Sequence, residues 1–577
     1  MSKPQTRTFL FCMLGICSRL QIWSIVKDVH STNIQGFWAV TAYQVCSTVL
    51  QPTSASASGI FGRKTIVLLG IILFTIGALL ASLAQDVTLL IVGRCIQGSG
   101  GGTLMTMTFV VLTDLVSLKE RGKWVGLLSM VWLVGAVLGP IIGGVFSEKV
   151  SWRWIFWVSI MLSAISLTLV ISFLRIDEKP KDFRHTIEDI DWFGAFLFVS
   201  SLTSFLVPIS WGGISYSWNN VRTLVPLILG LLGLVGWCFF EQLLATKPMV
   251  RLGVLGNRTA AVTYFGILIH GMASFISIYY LPLYFQTALN FSPIKAGVAL
   301  LPLCLASGLS AVIVGNTIAR IGLYRWAIFG GWALFIFGTG LLQLLNIGTS
   351  TPSWIFLLVV SGLGSGMLYT SLSSPAQASA RDEDMATAAG LVPFFRSLGQ
   401  ALGIVVGDAI FQNQMERSLS QDPEFSDSSL TFAKNALALT QTIKSLPLDS
   451  PTRLHIVESF VHSLRVVWWT TLGLAVLTGL LSLLTKGLTL NRVPIEGRAV
   501  LEGKKGSEMA VNRRSRASNS TKRTAAYKKR RRYMDVYKNN GTVGGRIESI
   551  TKRKEGRIEN KMDEELGRGR RTVEALR

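Results

Sequence analysis

Along the first 486 positions, runs of apolar residues alternate with short polar or charged breaks. A hydrocarbon core about 30 Å thick is crossed by about 20 residues of α-helix, so each such run predicts a membrane span. Fourteen runs are found, at 8–26, 36–57, 65–84, 88–112, 124–146, 154–174, 192–210, 221–240, 259–284, 294–317, 326–345, 353–373, 385–411 and 464–485. The first is degenerate, because Arg19 and Gln21 interrupt it after a clean stretch over 8–17, and its polar lead is wrong for a cleaved signal peptide. The pattern predicts an all-α polytopic membrane protein.

Composition agrees with lipid as the main solvent. Charged residues are 15% of the chain and hydrophobic ones 50%, with a mean hydropathy of +0.45, where a soluble domain carries roughly 25% charged residues. That excludes a soluble enzyme. Six scattered cysteines and five scattered histidines have neither disulfide nor metal-ligand spacing, and no nucleophile motif or phosphate loop appears. No catalytic residue, bound metal or cofactor is expected.

Basic residues collect in alternate loops, at Arg63, Lys64, Lys119, Arg121, Lys123, Arg251, Arg258, Arg320, Arg325 and Arg381, and this set is expected to be cytoplasmic. Beyond position 486 the pattern changes. Residues 487–577 hold 25 Lys and Arg against 11 Asp and Glu, more than half of the net charge of +23, with too few large apolar side chains to offset the entropy of ordering. This stretch is expected to be a disordered cytoplasmic tail, read either as a solvated tail or a gene-model read-through, or as a polybasic segment held against anionic lipid at about 1 kcal/mol per residue near the surface, a nucleic-acid arm being implausible beside a membrane. The expected organisation is an N-terminal bundle at 1–174, a linker with two further spans at 175–258, a C-terminal bundle at 259–486 with an outer loop over 412–462, and the tail.

Polar residues inside the spans mark candidate function. An arginine near the middle of a span costs about 2.5–3.5 kcal/mol on insertion scales, so Arg94 is expected to face a cavity or a partner. Gln97, Gly98 and Gly101 share its helical face. In the fifth run Gly135, Gly139 and Gly143 recur at four-residue steps with Pro140 and Gly144, a smooth face for close helix packing with a kink. The thirteenth run repeats the Arg94 stripe with Arg396, Gln400, Gly403 and Gly407, and the 315–325 loop faintly repeats the turn containing Gly62, Arg63 and Lys64. His270 is a possible proton relay, with a bond to a neighbouring carbonyl as the plainer reading. Trp132, Tyr279, Tyr280 and Tyr284 read either as interface anchors or as aromatics lining a substrate pocket.

Gly62-Arg63-Lys64, Arg94 with Gln97-Gly98, and the Gly135 to Gly144 block followed by Ser151-Trp152-Arg153-Trp154-Ile155-Phe156 resemble the signature blocks of the major facilitator superfamily. The chain looks like a fungal member of its 14-span drug:proton antiporter branch, over about residues 38–486. That resemblance implies two six-helix bundles around a central cavity, with 192–210 and 221–240 as extra helices between them. It implies export of a small amphiphilic toxin or drug by alternating access, driven by the proton gradient, from the plasma membrane or else the vacuolar membrane. Arg94, Gln97, Arg396 and Gln400 would then face the transport path, and the glycine blocks would form gates. Two departures stand out. The first-helix carboxylate of the family is missing from the 16–22 stretch, and Gly59 replaces an aspartate that pairs with the basic turn. Asp408 stands where the branch usually has glycine and reads as an adventitious charge near the outer end. A nutrient or metal-chelate importer of the same fold, and a non-transporting sensor or decayed paralogue, stay open as alternatives.

Overall fold

The computed structural model describes residues 33–174, 191–212, 216–421 and 450–491, with a few positions between 440 and 447. Thirteen long helices are found among them: α1 (Asn33–Phe61), α2 (Arg63–Ser82), α3 (Val87–Leu115), α4 (Leu118–Lys149), α5 (Arg153–Phe173), α6 (Trp192–Trp211), α7 (Val221–Leu243), α8 (Arg258–Thr287), α9 (Leu301–Ile321), α10 (Arg325–Leu341), α11 (Thr351–Ser371), α12 (Met385–Ser420) and α13 (Pro451–Ser482). They coincide with the second to fourteenth apolar runs. The degenerate first run and the basic stretch after Asn491 lie outside the described residues.

Local sequence sets the helix ends. The side chains of Asp86, Asp191 and Asn257 accept from the backbone N–H groups of Leu89, Gly194 and Ala260 at 2.7–2.8 Å, capping α3, α6 and α8. Between α1 and α2 only Gly62 is non-helical, at φ +92°, a left-handed conformation that strains any L side chain.

The expected outer loop over 412–462 is shorter than its polar composition suggests. Helix α12 continues to Ser420 and α13 begins at Pro451. Phe411, Met415 and Leu419 recur at four-residue steps and are fully buried beside Phe460, so a single apolar stripe holds the extension in place while its other faces stay polar.

In the first half, α3 packs against both α1 and α2, and α2 against α5; in the second, α8 packs on α12, α9 and α10 on α11, and α10 on α13. The halves meet along two seams, α4 against α9 and α12 against α1 and α3. The α4–α9 seam is close because a Cβ on Gly126 would lie 2.6 Å from the Ala311 carbonyl oxygen. Helices α6 and α7 pair with each other, and α6 leans on both halves through Trp38–Trp211 and Phe198–Phe394 ring contacts at 5.6 and 5.9 Å. The outward faces of α7 expose Leu229, Leu232 and Phe239, which suits lipid contact rather than water.

Candidate transport site

Arg94 projects from α3 into the first half and is 3% exposed. Its Nε donates to the Ala39 carbonyl of α1 at 3.0 Å, its Nη1 donates to Gln97 Oε1 at 2.7 Å, and its guanidinium lies 4.5 Å from the Tyr43 ring centre. A buried charge is tolerable only when its donors are met, and here α1 supplies both an acceptor and a π face. Gly98 and Gly101 make the approach possible, since side chains there would strike the backbone and the hydroxyl of Tyr43. The residues expected to share a face therefore form one bonded unit bracing α3 to α1.

At the end carrying the basic loops, Arg63 Nε donates to Asp114 Oδ2 at 2.9 Å and its Nη1 donates to Ser58 Oγ. Gly59 thus does not leave this arginine without a carboxylate; the last turn of α3 provides one. Sequence reasoning missed Asp114 because 51 positions separate the partners and no local spacing joins them. Lys64 reaches the Ile171 carbonyl of α5. Arg121 crosses between the halves, donating from Nη1 to Gln377 Oε1 at 2.9 Å and from Nη2 and Nε to the Thr113 and Val116 carbonyls. In the neighbouring loops Arg251 meets Glu383 and Asp384 at 3.0 and 3.1 Å; the Glu383 bond first, then the Asp384 charge, push its pKa up. With Arg251 54% exposed, that pair contributes at most about 1 kcal/mol. Arg63→Ala and Asp114→Ala, singly and together, should be non-additive by about 1 kcal/mol in the unfolding of detergent-solubilised protein. Strictly additive losses would show that the two do not act as a pair.

In the second half Arg396 is 2% exposed, stacked 3.8 Å from the Tyr369 ring centre, with Nη2 donating to the Tyr369 carbonyl at 3.0 Å. His270 of α8 lies near it, its Nε2 3.1 Å from Ser365 Oγ and 3.3 Å from Ser274 Oγ. Two hydroxyls hold the imidazole, and the Ser365 backbone also reaches it, in line with the plainer reading of a bond to a neighbouring carbonyl. Gln51 Nε2 of α1 donates to Ser397 Oγ at 3.0 Å, joining the halves one residue from Arg396, and Gln400 is half-buried one turn further along α12. The reading of Asp408 as an adventitious charge is corrected: it is 9% exposed and accepts from the Tyr280 hydroxyl at 2.5 Å. Tyr280 and Tyr284 are buried in the second-half core, the latter donating to the Asn346 carbonyl, while half-buried Tyr279 packs edge-on against Tyr280. Of the α4 glycine block, the backbone is helical throughout and Gly135 is buried; the surroundings of Trp132, Gly139, Pro140, Gly143 and Gly144 lie outside the described residues.

The arrangement has the parts of a carrier: a polar interior in each half, few carboxylates, and seams made of single hydrogen bonds and backbone contacts. Comparisons with known proteins agree. Residues 8–404 match the Major Facilitator Superfamily. The chain is 40% identical over 445 residues to MFS transporter L2 of Phoma sp., covering 77% of this chain and 74% of that protein. It is 33% identical over 471 residues to efflux pump FUS6 of Gibberella fujikuroi (81% and 85% covered), and 35% over 473 residues to the MFS-type efflux pump LUC4 of Fusarium sp. (81% and 83%). Among solved structures, the human organic anion transporter MFSD10 (TETRAN) superposes with a TM-score of 0.52 over 84% of this chain and all of that one; at 14% identity the likeness is one of fold. The chain belongs to the Major Facilitator Superfamily, as an integral multi-pass membrane transporter of its efflux branch and not an enzyme.

Proposed function

We propose that this transporter exports small amphiphilic toxins or drugs in exchange for protons, its halves opening alternately to the two sides of the membrane. Identity of 33–35% to proteins named efflux pumps, spread over four-fifths of the chain, is the observation that carries the direction. The seams support alternation. Gln51–Ser397 and Arg121–Gln377 are neutral or singly charged hydrogen bonds, each contributing about 0.5–3 kcal/mol net, weak enough to break and reform in a cycle. With the basic loops on the cytoplasmic side, these contacts close that side. Arg94 and Gln97 shape the path in the first half and Arg396 and Gln400 in the second.

Proton coupling needs a titratable group inside the spans, and the first-helix carboxylate of the family is missing. Among the described residues the buried carboxylates are Glu241, Asp384 and Asp408. Asp384 is engaged by Arg251 in a loop, and Glu241 lies on peripheral α7. Asp408, on a seam helix and held by Tyr280, is the group best placed to carry the proton.

Inside-out vesicles bearing the full chain test this reading. A fluorescent lipophilic dye should accumulate when the lumen is acidic, and a protonophore should collapse the accumulation. Asp408→Asn should lower it by about tenfold or more, the loss expected when a group carrying charge in one state is removed, while exchange of dye down its own gradient persists. Absence of any flux from folded protein would remove the transport reading for this dye class; full accumulation in Asp408→Asn would move the coupling elsewhere.

A further inference from the structure

The Arg396 environment leaves a buried cation only partly met. Of its donors, Nη2 is met by the Tyr369 carbonyl, but Nε and Nη1 are buried and meet no acceptor. Among the described residues no carboxylate pairs with it. His270, 2% exposed and close enough to feel the arginine's charge, leaves its own Nδ1 without a partner. The two are held level because a Cβ on Gly271 would lie 2.4 Å from the Arg396 carbonyl oxygen, so α8 and α12 touch there backbone to backbone. Buried arginines almost always meet their donors, and Arg94 does so within this same fold.

We propose that Arg396 and His270 form the binding site for the carboxylate of an acidic amphiphile, a substrate class of planar or aromatic carboxylic acids. A carboxylate has two oxygens able to accept from the fork of a guanidinium. Nε and Nη1 point from different edges of the guanidinium, so one oxygen would accept from one of these two unmet donors, and the other from His270 when the imidazole carries its proton on Nδ1 and accepts on Nε2 from the serine hydroxyls. Tyr369 beneath the guanidinium and Phe335, 5.7 Å from the imidazole, offer rings against which the apolar body packs. The site is shut in this conformation and lies one residue from the Gln51–Ser397 bond, so parting of α1 from α12 would open it. The proposal rests on the export reading for its biological meaning, but binding is measured without flux, so the two fail separately.

The test uses the full chain in nanodiscs of zwitterionic lipid, with tryptophan-to-pyrene energy transfer reporting binding of 1-pyrenebutyrate and of its uncharged amide. Wild type should bind the acid about tenfold or more tighter than the amide, the scale of one charge-assisted bond to a buried partner. Arg396→Gln should erase that preference. Ser365→Asp, which places an internal carboxylate beside His270, should also erase it while unfolding no more easily than wild type. Equal affinity for acid and amide in wild type overturns the proposal. So does a preference unchanged in whichever of the two variants purifies, which would put the anion elsewhere. Complete displacement of the acid by chloride at equal concentration would show a site for small inorganic anions and overturn it as well.

Discussion

Arg94→Ala should abolish transport in the vesicle assay, to below about a tenth of wild type, while the amount of protein in the membrane stays normal. The first expectation follows from geometry: the side chain holds the Ala39 carbonyl, Gln97 Oε1 and the Tyr43 ring together, so its loss removes the polar brace between α1 and α3 while their glycine-mediated packing stays. The second follows from comparing magnitudes. Two buried acceptors lose a charged donor, at about 1–3 kcal/mol each, but a span relieved of an arginine inserts more favourably by about 2.5 kcal/mol. The second term cancels a large part of the first, which totals about 2–6 kcal/mol, so folding survives where function does not. Arg94→Lys should recover little, because an ammonium on a flexible stem lacks the planar fork that reaches a carbonyl and an amide at once. Transport retained in Arg94→Ala, with protein at wild-type level, would remove this residue from the mechanism.

Gly102→Val should have the opposite signature, with protein lost from the membrane. A Cβ at Gly102 would lie 2.0 Å from the Ser47 carbonyl oxygen and 2.7–2.8 Å from two more backbone atoms of Ser47. Backbone cannot rotate aside as a side-chain tip can, so α1 and α3 must separate. Overpacking of a close-packed interior costs about 1–3 kcal/mol, and here the same displacement would also stretch the Arg94 contacts to α1. Gly236→Ala on α7 is the control, because a Cβ there meets open space, and it should fall within about 0.5 kcal/mol of wild type. The two variants should differ clearly in immunoblot yield and in the thermal midpoint of solubilised protein. Equal yields would mean that α1 and α3 pack less tightly than the structure shows.

The sequence by itself determined the helices, the family and half of each polar cluster. Helix positions were legible because lipid imposes one rule on every span, about 20 apolar residues with backbone bonds satisfied internally, and that rule acts on contiguous sequence. The Arg94, Gln97 and Gly98 face was legible for the same reason, since three- and four-residue spacing is a property of a single helix. The extension of α12 to Ser420 was not, because a long polar stretch hides the one stripe of Phe411, Met415 and Leu419 that packs. Nor could the sequence show that Asp114 replaces the carboxylate missing at Gly59, that Asp408 is held by Tyr280, or that His270 sits beside Arg396. Each of these joins residues 51 or more positions apart, on helices whose order around the bundle has no signature in local spacing. Tertiary structure decided them through the glycines that let backbones touch, such as Gly271 against Arg396, because burial of a charge is settled by which helix arrives opposite it and with which donors and acceptors.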